Sequence, residues 1–298
     1  NDQHTLIGGA DWRKDHLNDY TSVNRITTTQ ALFIEDRWKL PSNWTVTAGT
    51  RYDHNSAVGG NTTSRVTFNR EIDSTTNIYA SWGQYVKNPT IAELFNNDGF
   101  WLGNPDLKPE KGSTVTIGMN TELGNGTKLQ ASAYTSNVHD AIVGKYTTFY
   151  QYYNVEREKR RGLDITLSRR LSPQWNINAG YSYAKIERKE AASSDYINDI
   201  SNSQPNGYRL NLQYSQDKWD GDLTVKNVSG RSLSSFTNSS YTVLDMTLNY
   251  QMTPDTRIYL KGYNLTNQAY EVTYNMWGNI GGYPMPARSF YLGMEHRM

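Results

Sequence analysis

Thr242-Val-Leu-Asp-Met-Thr-Leu-Asn-Tyr250 alternates without a break. One side carries Thr242, Leu244, Met246, Leu248 and Tyr250; the other carries Val243, Asp245, Thr247 and Asn249. A repeat of two is the signature of a strand, because successive side chains point to opposite faces of the pleat. The same phase recurs upstream in Val115–Leu123, in Leu163, Ile165 and Leu167, and in Tyr208, Leu210, Leu212 and Tyr214, then downstream in Phe290, Leu292 and Met294. No segment carries a convincing helical period.

Fourteen strands are expected, near 3–14, 28–40, 43–55, 63–70, 75–86, 111–123, 126–144, 158–171, 174–189, 205–216, 218–230, 240–252, 254–264 and 287–298. Tight links at Pro41-Ser42, Asp73-Ser74, Gly124-Asn125-Gly126, Ser172-Pro173, Asp217 and Thr253-Pro254-Asp255 use ordinary turn chemistry. Between them lie longer links at 15–27, 56–62, 87–110, 145–157, 190–204, 231–239 and 265–286. Short and long links in strict alternation put tight turns at one end of a sheet and extended loops at the other. Strands of ~10–13 residues suit a tilted crossing of a bilayer. The second face is polar (Asp164, Arg209, Asp245, Asn249), where a soluble sandwich would carry more core. The expected fold is all-β: an antiparallel transmembrane β-barrel.

Composition agrees. The 298 residues carry 30 Lys+Arg against 29 Asp+Glu, so net charge gives no reason to expect nucleic acid as a partner. There is no cysteine, hence no disulfide framework or thiolate metal site. The longest apolar run, Ala31-Leu-Phe-Ile34, is far below the ~20 residues of a transmembrane helix. Aromatics make up 12%, with 22 Tyr and 8 Trp against 7 Phe, a bias toward rings that sit half wet and half greasy.

Three segments, in order and spacing, resemble the C-terminal barrel of TonB-dependent outer-membrane receptors. They are Val86-Lys-Asn-Pro-Thr-Ile-Ala-Glu-Leu-Phe95 with Leu102-Gly-Asn-Pro-Asp-Leu-Lys-Pro-Glu110; Asn154-Val155 with Arg161-Gly-Leu-Asp164; and Tyr263-Asn-Leu-Thr-Asn-Gln-Ala-Tyr270 with Gly282-Tyr-Pro-Met-Pro-Ala-Arg-Ser-Phe290. The resemblance covers roughly 30–298. It implies about 14 strands of a 22-stranded barrel, with 1–298 as the C-terminal part and no plug domain in this chain. The plug and first strands would come from a segment in the same or a separate chain. It further implies the bacterial outer membrane, its lipid, the TonB energy-transducing complex, and a ferric chelate or similar bulky nutrient as partners. Ferric siderophore uptake is the expected activity; a haem or cobalamin receptor, or a passive channel, is the alternative. Two departures are Val86-Lys-Asn-Pro89 in place of the family's aromatic-Arg-Ala-Pro, and Met298 in place of a terminal aromatic. Loop 87–109 has no histidine, which demotes haem.

Long external loops rich in large rings are the candidate ligand surface: Phe100 and Trp101 in 87–110, Tyr150, Tyr152 and Tyr153 in 145–157, and Tyr274 and Trp277 in 265–286. Rings stack on flat chelators, and phenols donate hydrogen bonds to their oxygens. An aromatic girdle or packing between loops would use the same residues. Arg157, Lys159, Arg160 and Arg161 would hold an anionic chelate, pair with Glu156 and Glu158, or meet an anionic lipid surface. No histidine pair has ligand spacing, so neither a metal site nor a cofactor is expected. No Gly-x-Ser-x-Gly, His-Glu-x-x-His or phosphate-binding Gly loop is present, so no enzyme is expected.

Overall fold

A computed structural model describes residues 3–19, 23–146, 148–199, 205–274 and 282–297. All fourteen expected strands form. They are β1 (His4–Asp19), β2 (Val23–Leu40), β3 (Trp44–Asn55), β4 (Gly59–Glu71), β5 (Thr76–Lys87), β7 (Glu110–Leu123) and β8 (Thr127–Tyr146). After them come β9 (Tyr150–Arg170), β10 (Trp175–Lys189), β12 (Asn206–Gln216), β13 (Trp219–Ser229), β14 (Tyr241–Thr253), β15 (Thr256–Tyr263) and β18 (Ser289–His296). Four short pieces lie between: β6 (Trp101–Leu102), β11 (Ile197–Asn198), β16 (Glu271–Tyr274) and β17 (Gly282–Pro284). The hydrogen-bonded order of the long strands follows the chain from β1 to β18, each antiparallel pair joined by the intervening link.

Three expectations are corrected. The loop 87–110 contains a five-residue helix, α1 (Ile91–Phe95), too short for a periodicity search to find. Strands reach further into the links than their patterns show; β9 is 21 residues long and β8 is 20. They run past the apolar band because ladder hydrogen bonds, not side-chain alternation, hold their upper ends. Link 56–62 shrinks to 56–58, since Gly59–Thr62 pair with Tyr52–Asn55, so the alternation of link lengths is not strict.

The chain divides into two compact units: 1–118 with 134–161 and 187–198, and 119–133 with 162–186 and 199–298. In the first, the registers of β1 to β5 place Leu6, Trp12, Leu32, Ile34, Trp38, Val46, Tyr52, Val66, Phe68 and Trp82 on one face. Asp11, Glu35, Arg51, Asp53, Asn61, Thr63, Arg65 and Ser81 share the other. There Arg51 pairs with Asp11 at 2.6 Å and Asp53 at 2.9 Å, and Arg65 pairs with Glu35.

The second unit repeats the division. Leu210, Leu212, Leu223, Val225, Leu244, Met246, Leu248, Ile258, Leu260, Leu292 and Met294 line one face. Asn211, Asp222, Thr224, Asp245 and Asn249 line the other, joined by amide–carboxylate hydrogen bonds such as Asn249 Nδ2 to Asp220 at 2.8 Å. At the tight-turn end, Trp175 packs on Tyr214 and Trp219 on Tyr250, with centroids 4.7 and 4.6 Å apart. Those rings mark an interface belt.

No protein covers the apolar face. Trp12 is 63% exposed, Leu32 65% and Leu292 77%. Each such side chain forgoes about 1.5–3 kcal/mol of burial in water, so dozens of them require hydrocarbon. Among the described residues no helix is long and apolar enough to cross a membrane.

Leu248→Arg puts a charge on the apolar face near the middle of β14 and should destabilise the protein by about 2–4 kcal/mol in a bilayer. Thr247→Arg, one residue away on the polar face, should stay within about 0.5 kcal/mol. Urea titration of protein refolded into vesicles measures both, and equal losses would mean the faces are misassigned.

Candidate functional site

The site in the first unit begins with Asn88-Pro89-Thr90. Proline biases Asn88 away from the helical region, and α1 starts two residues later behind a capping box. The Thr90 hydroxyl accepts from the Glu93 amide at 3.1 Å, and the Glu93 carboxylate accepts from the Thr90 amide at 2.7 Å. The helix is only one turn long, so its exit is fixed from outside. The Gly103 amide donates to the Asn96 carbonyl at 2.6 Å, and the Asn104 amide to the Glu93 carbonyl at 2.8 Å. Leu94 and Leu107 then pack with Ile142, with Phe95 and Tyr152 against them.

Asp98 shapes the tip. Its carboxylate accepts from the amides of Phe100 at 2.9 Å and Trp101 at 2.6 Å. These amide bonds, that of Trp101 foremost, hold the Asp98 carboxyl below its ordinary range. The ionised form is therefore favoured by the folded turn: its support is complete above the usual carboxylate value and is lost as pH falls through the lower, folded one. The turn delivers Trp101 and Leu102 as β6, parallel to Tyr150 and Gln151. The Tyr150 amide donates to the Phe100 carbonyl at 3.0 Å. Two asparagines complete the tie. Asn104 Nδ2 donates to the Tyr152 carbonyl at 3.0 Å, and Asn154 bridges Lys108 and the Asp140 carbonyl.

The outcome is a ring cluster. Phe100 lies 5.9 Å from Tyr146, Trp101 lies 5.8 Å from Tyr152 and 6.5 Å from Tyr150, and Tyr150 and Tyr152 meet edge-on at 5.3 Å. Four of the seven residues expected from sequence thus come together, with Tyr146 added. Tyr153 turns away, packing with Val138, Ala141 and Val155, 5.9 Å from the Lys145 ammonium. Tyr274 ends β16, and its side chain and all of Trp277 lie outside the described residues. The indole N–H of Trp101 is buried with no partner among the described residues. Beside the cluster is a cleft of about 570 Å³, floored by α1 and Leu102 and walled by Val23, Asn24 and Arg25 of β2. The Arg25 guanidinium sits 5.7 Å from the Phe95 ring.

The basic run on β9 splits. Arg160 pairs with Glu158 and reaches Glu110 at 3.6 Å, where the Tyr85 phenol also donates to Glu110 at 3.2 Å. Arg161 pairs with Glu187, and Arg157 stands 3.9 Å from Glu156. Sequence reading missed Asp98 as an organiser, and with it the cross-loop partners of Asn104 and Asn154. An Asx-type turn at Asn96-Asn97-Asp98 was a legible signal for the first; the partners of the others are 46 to 48 residues away.

In the second unit, Arg231 ties the link 230–240 to Glu271 at the start of β16. Its side chain is fully buried, 3.4 Å from Glu271. Its guanidinium carbon lies 3.6 Å from the Phe236 ring centroid and 5.1 Å from that of Tyr241. Glu271 also accepts from the amide and hydroxyl of Thr237. Burial pulls the Arg231 guanidinium below its ordinary value, while Tyr241 and Glu271 pull it back up.

Gly103→Ala would place a Cβ 2.5 Å from the Phe95 amide nitrogen, a backbone collision with no side chain to give way. Faster proteolysis between 96 and 104 and altered Trp101 emission are expected, with the barrel's heat-modifiable gel mobility unchanged. Glu271→Ala leaves a buried cation unpaired and should cost about 3–5 kcal/mol, read as loss of thermal stability; a change under about 1 kcal/mol would show the pair to be solvated.

Comparison with known proteins identifies the architecture. The family described as TonB dependent receptor-like, beta-barrel matches residues 1–265. An iron-regulated outer membrane virulence protein of Vibrio cholerae is 24% identical over 329 residues, covering 98% of this chain and 49% of that protein. The vitamin B12 transporter BtuB of the same species is 23% identical over 308 residues, covering 100% and 47%. The siderophore receptor PirA from Pseudomonas aeruginosa superposes with a TM-score of 0.76 at 18% identity, over 98% of this chain and 51% of that one. The chain spans about half the length of the curated relatives it matches. The family consists of transporters and receptors rather than enzymes. This chain belongs to the TonB dependent receptor-like β-barrel family of the bacterial outer membrane.

Proposed function

We propose that this chain forms the wall and external loops of an active-transport receptor for a ferric siderophore. The observation that carries the reading is the cluster of Phe100, Trp101, Tyr146, Tyr150 and Tyr152 with the unpartnered indole N–H of Trp101. Rings at right angles present both faces and edges to a chelator, and a buried donor without a partner is costly until something accepts from it. Phe100 is 45% exposed at the tip, well placed for first contact. The names of the relatives add support: an iron-regulated protein and a siderophore receptor stand among them.

The polar inner face, with Arg51, Asp11, Asp53, Glu35 and Arg65, suits a wet or plugged lumen and not a dry core. β1 and β18 end the strand order, each with one neighbour among the described residues. An unpaired edge in hydrocarbon costs several kcal/mol for each unsatisfied group. Further strands must therefore close the wall, and the relatives' other half is their natural source. That segment would bring the plug that the TonB complex pulls. The cargo passes unchanged, so the protein does no covalent chemistry on it.

The test is binding to the full-length receptor, followed by quenching of tryptophan emission, with a panel of ferric catecholates, ferric hydroxamates and cobalamin. A ferric siderophore should bind, and Phe100→Ala/Trp101→Ala should weaken it by about ten- to a hundredfold, each lost stack being worth about 0.5–1.5 kcal/mol beyond its buried area. Tyr153→Ala should leave affinity within about twofold, as a residue outside the cluster. Cobalamin binding with no siderophore binding, or an unchanged double variant, overturns the assignment.

A further inference from the structure

We propose that the outward face at the external end of β9 and β10 is a binding site for the phosphate groups of an outer-leaflet glycolipid. β9 runs unbroken from Tyr150 to Arg170, and alternation sets Lys159 and Arg161 on the side of Leu163, Ile165 and Leu167. Those three belong to the apolar band, so the two cations stand directly above it, toward the end that bears the long links. Arg160, in the opposite phase, turns to Glu110 and Glu158 instead.

β10 contributes from the adjoining strand. Lys189 and Glu187 lie on one side of it, and β11 continues its edge, with Ile197 opposite Arg188 and Asn198 opposite Glu187. That register puts Tyr196 beside Lys189. Its ring is flanked by two ammonium groups, Lys159 at 4.0 Å and Lys189 at 5.9 Å from the centroid. The ring face attracts both cations and holds them at one height without neutralising either. Arg161 pairs with Glu187 and remains 55% exposed, and Arg157, 3.9 Å from Glu156, is 47% exposed. Lys159, Arg161 and Lys189 thus stand together on the outward side, with Glu187 as the carboxylate paired among them.

An excess of positive charge at the rim of a hydrocarbon band fits a ligand with acyl chains below and phosphates above. Guanidinium and ammonium groups give phosphate short, charge-assisted hydrogen bonds, and basic residues at this height attract anionic lipid surfaces. The outer leaflet of this membrane is built of phosphorylated glycolipid. A free anion would find the charges but no use for the apolar strip beneath Arg161; the lipid uses both. The inference rests on family membership and membrane location, and stands whatever cargo is carried.

Native mass spectrometry of the full-length receptor in detergent tests it, with bisphosphorylated lipid A, the same lipid freed of phosphate, and inorganic phosphate as probes. Lys159→Gln/Arg161→Gln/Lys189→Gln should reduce bound bisphosphorylated lipid A on the order of tenfold or more. Lys159→Arg/Lys189→Arg should keep it, and heat-modifiable gel mobility verifies that each variant is folded. Three results each overturn the proposal: wild-type binding by the triple variant, equal binding of the phosphate-free lipid, or displacement of the lipid by equimolar inorganic phosphate.

Discussion

A polypeptide in hydrocarbon has nowhere to send an unpaired amide except to itself, and this chain's architecture follows from that constraint. Antiparallel ladders satisfy the backbone of every long strand on at least one edge. Once the ladder fixes the backbone, the pleat divides side chains into two sets, and the sets meet different solvents. Leu32, Ile34 and Leu292 face outward with no protein over them, while Arg51, Asp53, Asp222 and Asn249 form hydrogen-bonded ladders on the opposite side. Among the described residues, buried apolar side chains collect in small groups such as Leu94, Leu107 and Ile142, or Val138, Ala141 and Val155. Those groups lie under the loops, where water returns and ordinary burial works again.

Order in the external loops has a different origin from order in the wall. The loop 88–109 has a single turn of helix and two residues of strand, too little to hold itself. It is held by side chains that imitate backbone: Thr90 and Glu93 at the helix start, Asp98 at the tip, Asn104 and Asn154 across to β9. Each of these satisfies an amide or carbonyl that a ladder would otherwise serve. The rings of Phe100, Trp101, Tyr150 and Tyr152 are thereby held in place before any ligand arrives, which would lower the ordering cost of the binding we propose. Arg231 and Glu271 do the same for the second unit by burying a charge pair where two links meet. A buried pair is weak evidence for stability, but removing one partner leaves the other as an uncompensated charge.

The two faces of the upper wall meet different partners, and the chain separates them by parity. Arg160 turns to Glu110 and Tyr85, while Lys159 and Arg161, its immediate neighbours, turn to Tyr196 and Glu187. A run of four bases reads in sequence as one patch; the pleat makes it two, with opposite partners.

Sequence alone determined the strands, their phase and their antiparallel order, because period-two alternation and turn residues are local signals. Thr242–Tyr250 shows its two faces without any coordinates. It also marked the ring-rich loops, since composition survives any fold. Tertiary structure decided which rings meet. Tyr152 and Tyr153 are neighbours in sequence, yet one joins Trp101 and the other packs with Val138. It decided too that α1 exists and that Arg231 is buried. These outcomes depend on partners tens of residues away, and such pairings are set by ladder register and loop closure, which no local pattern encodes.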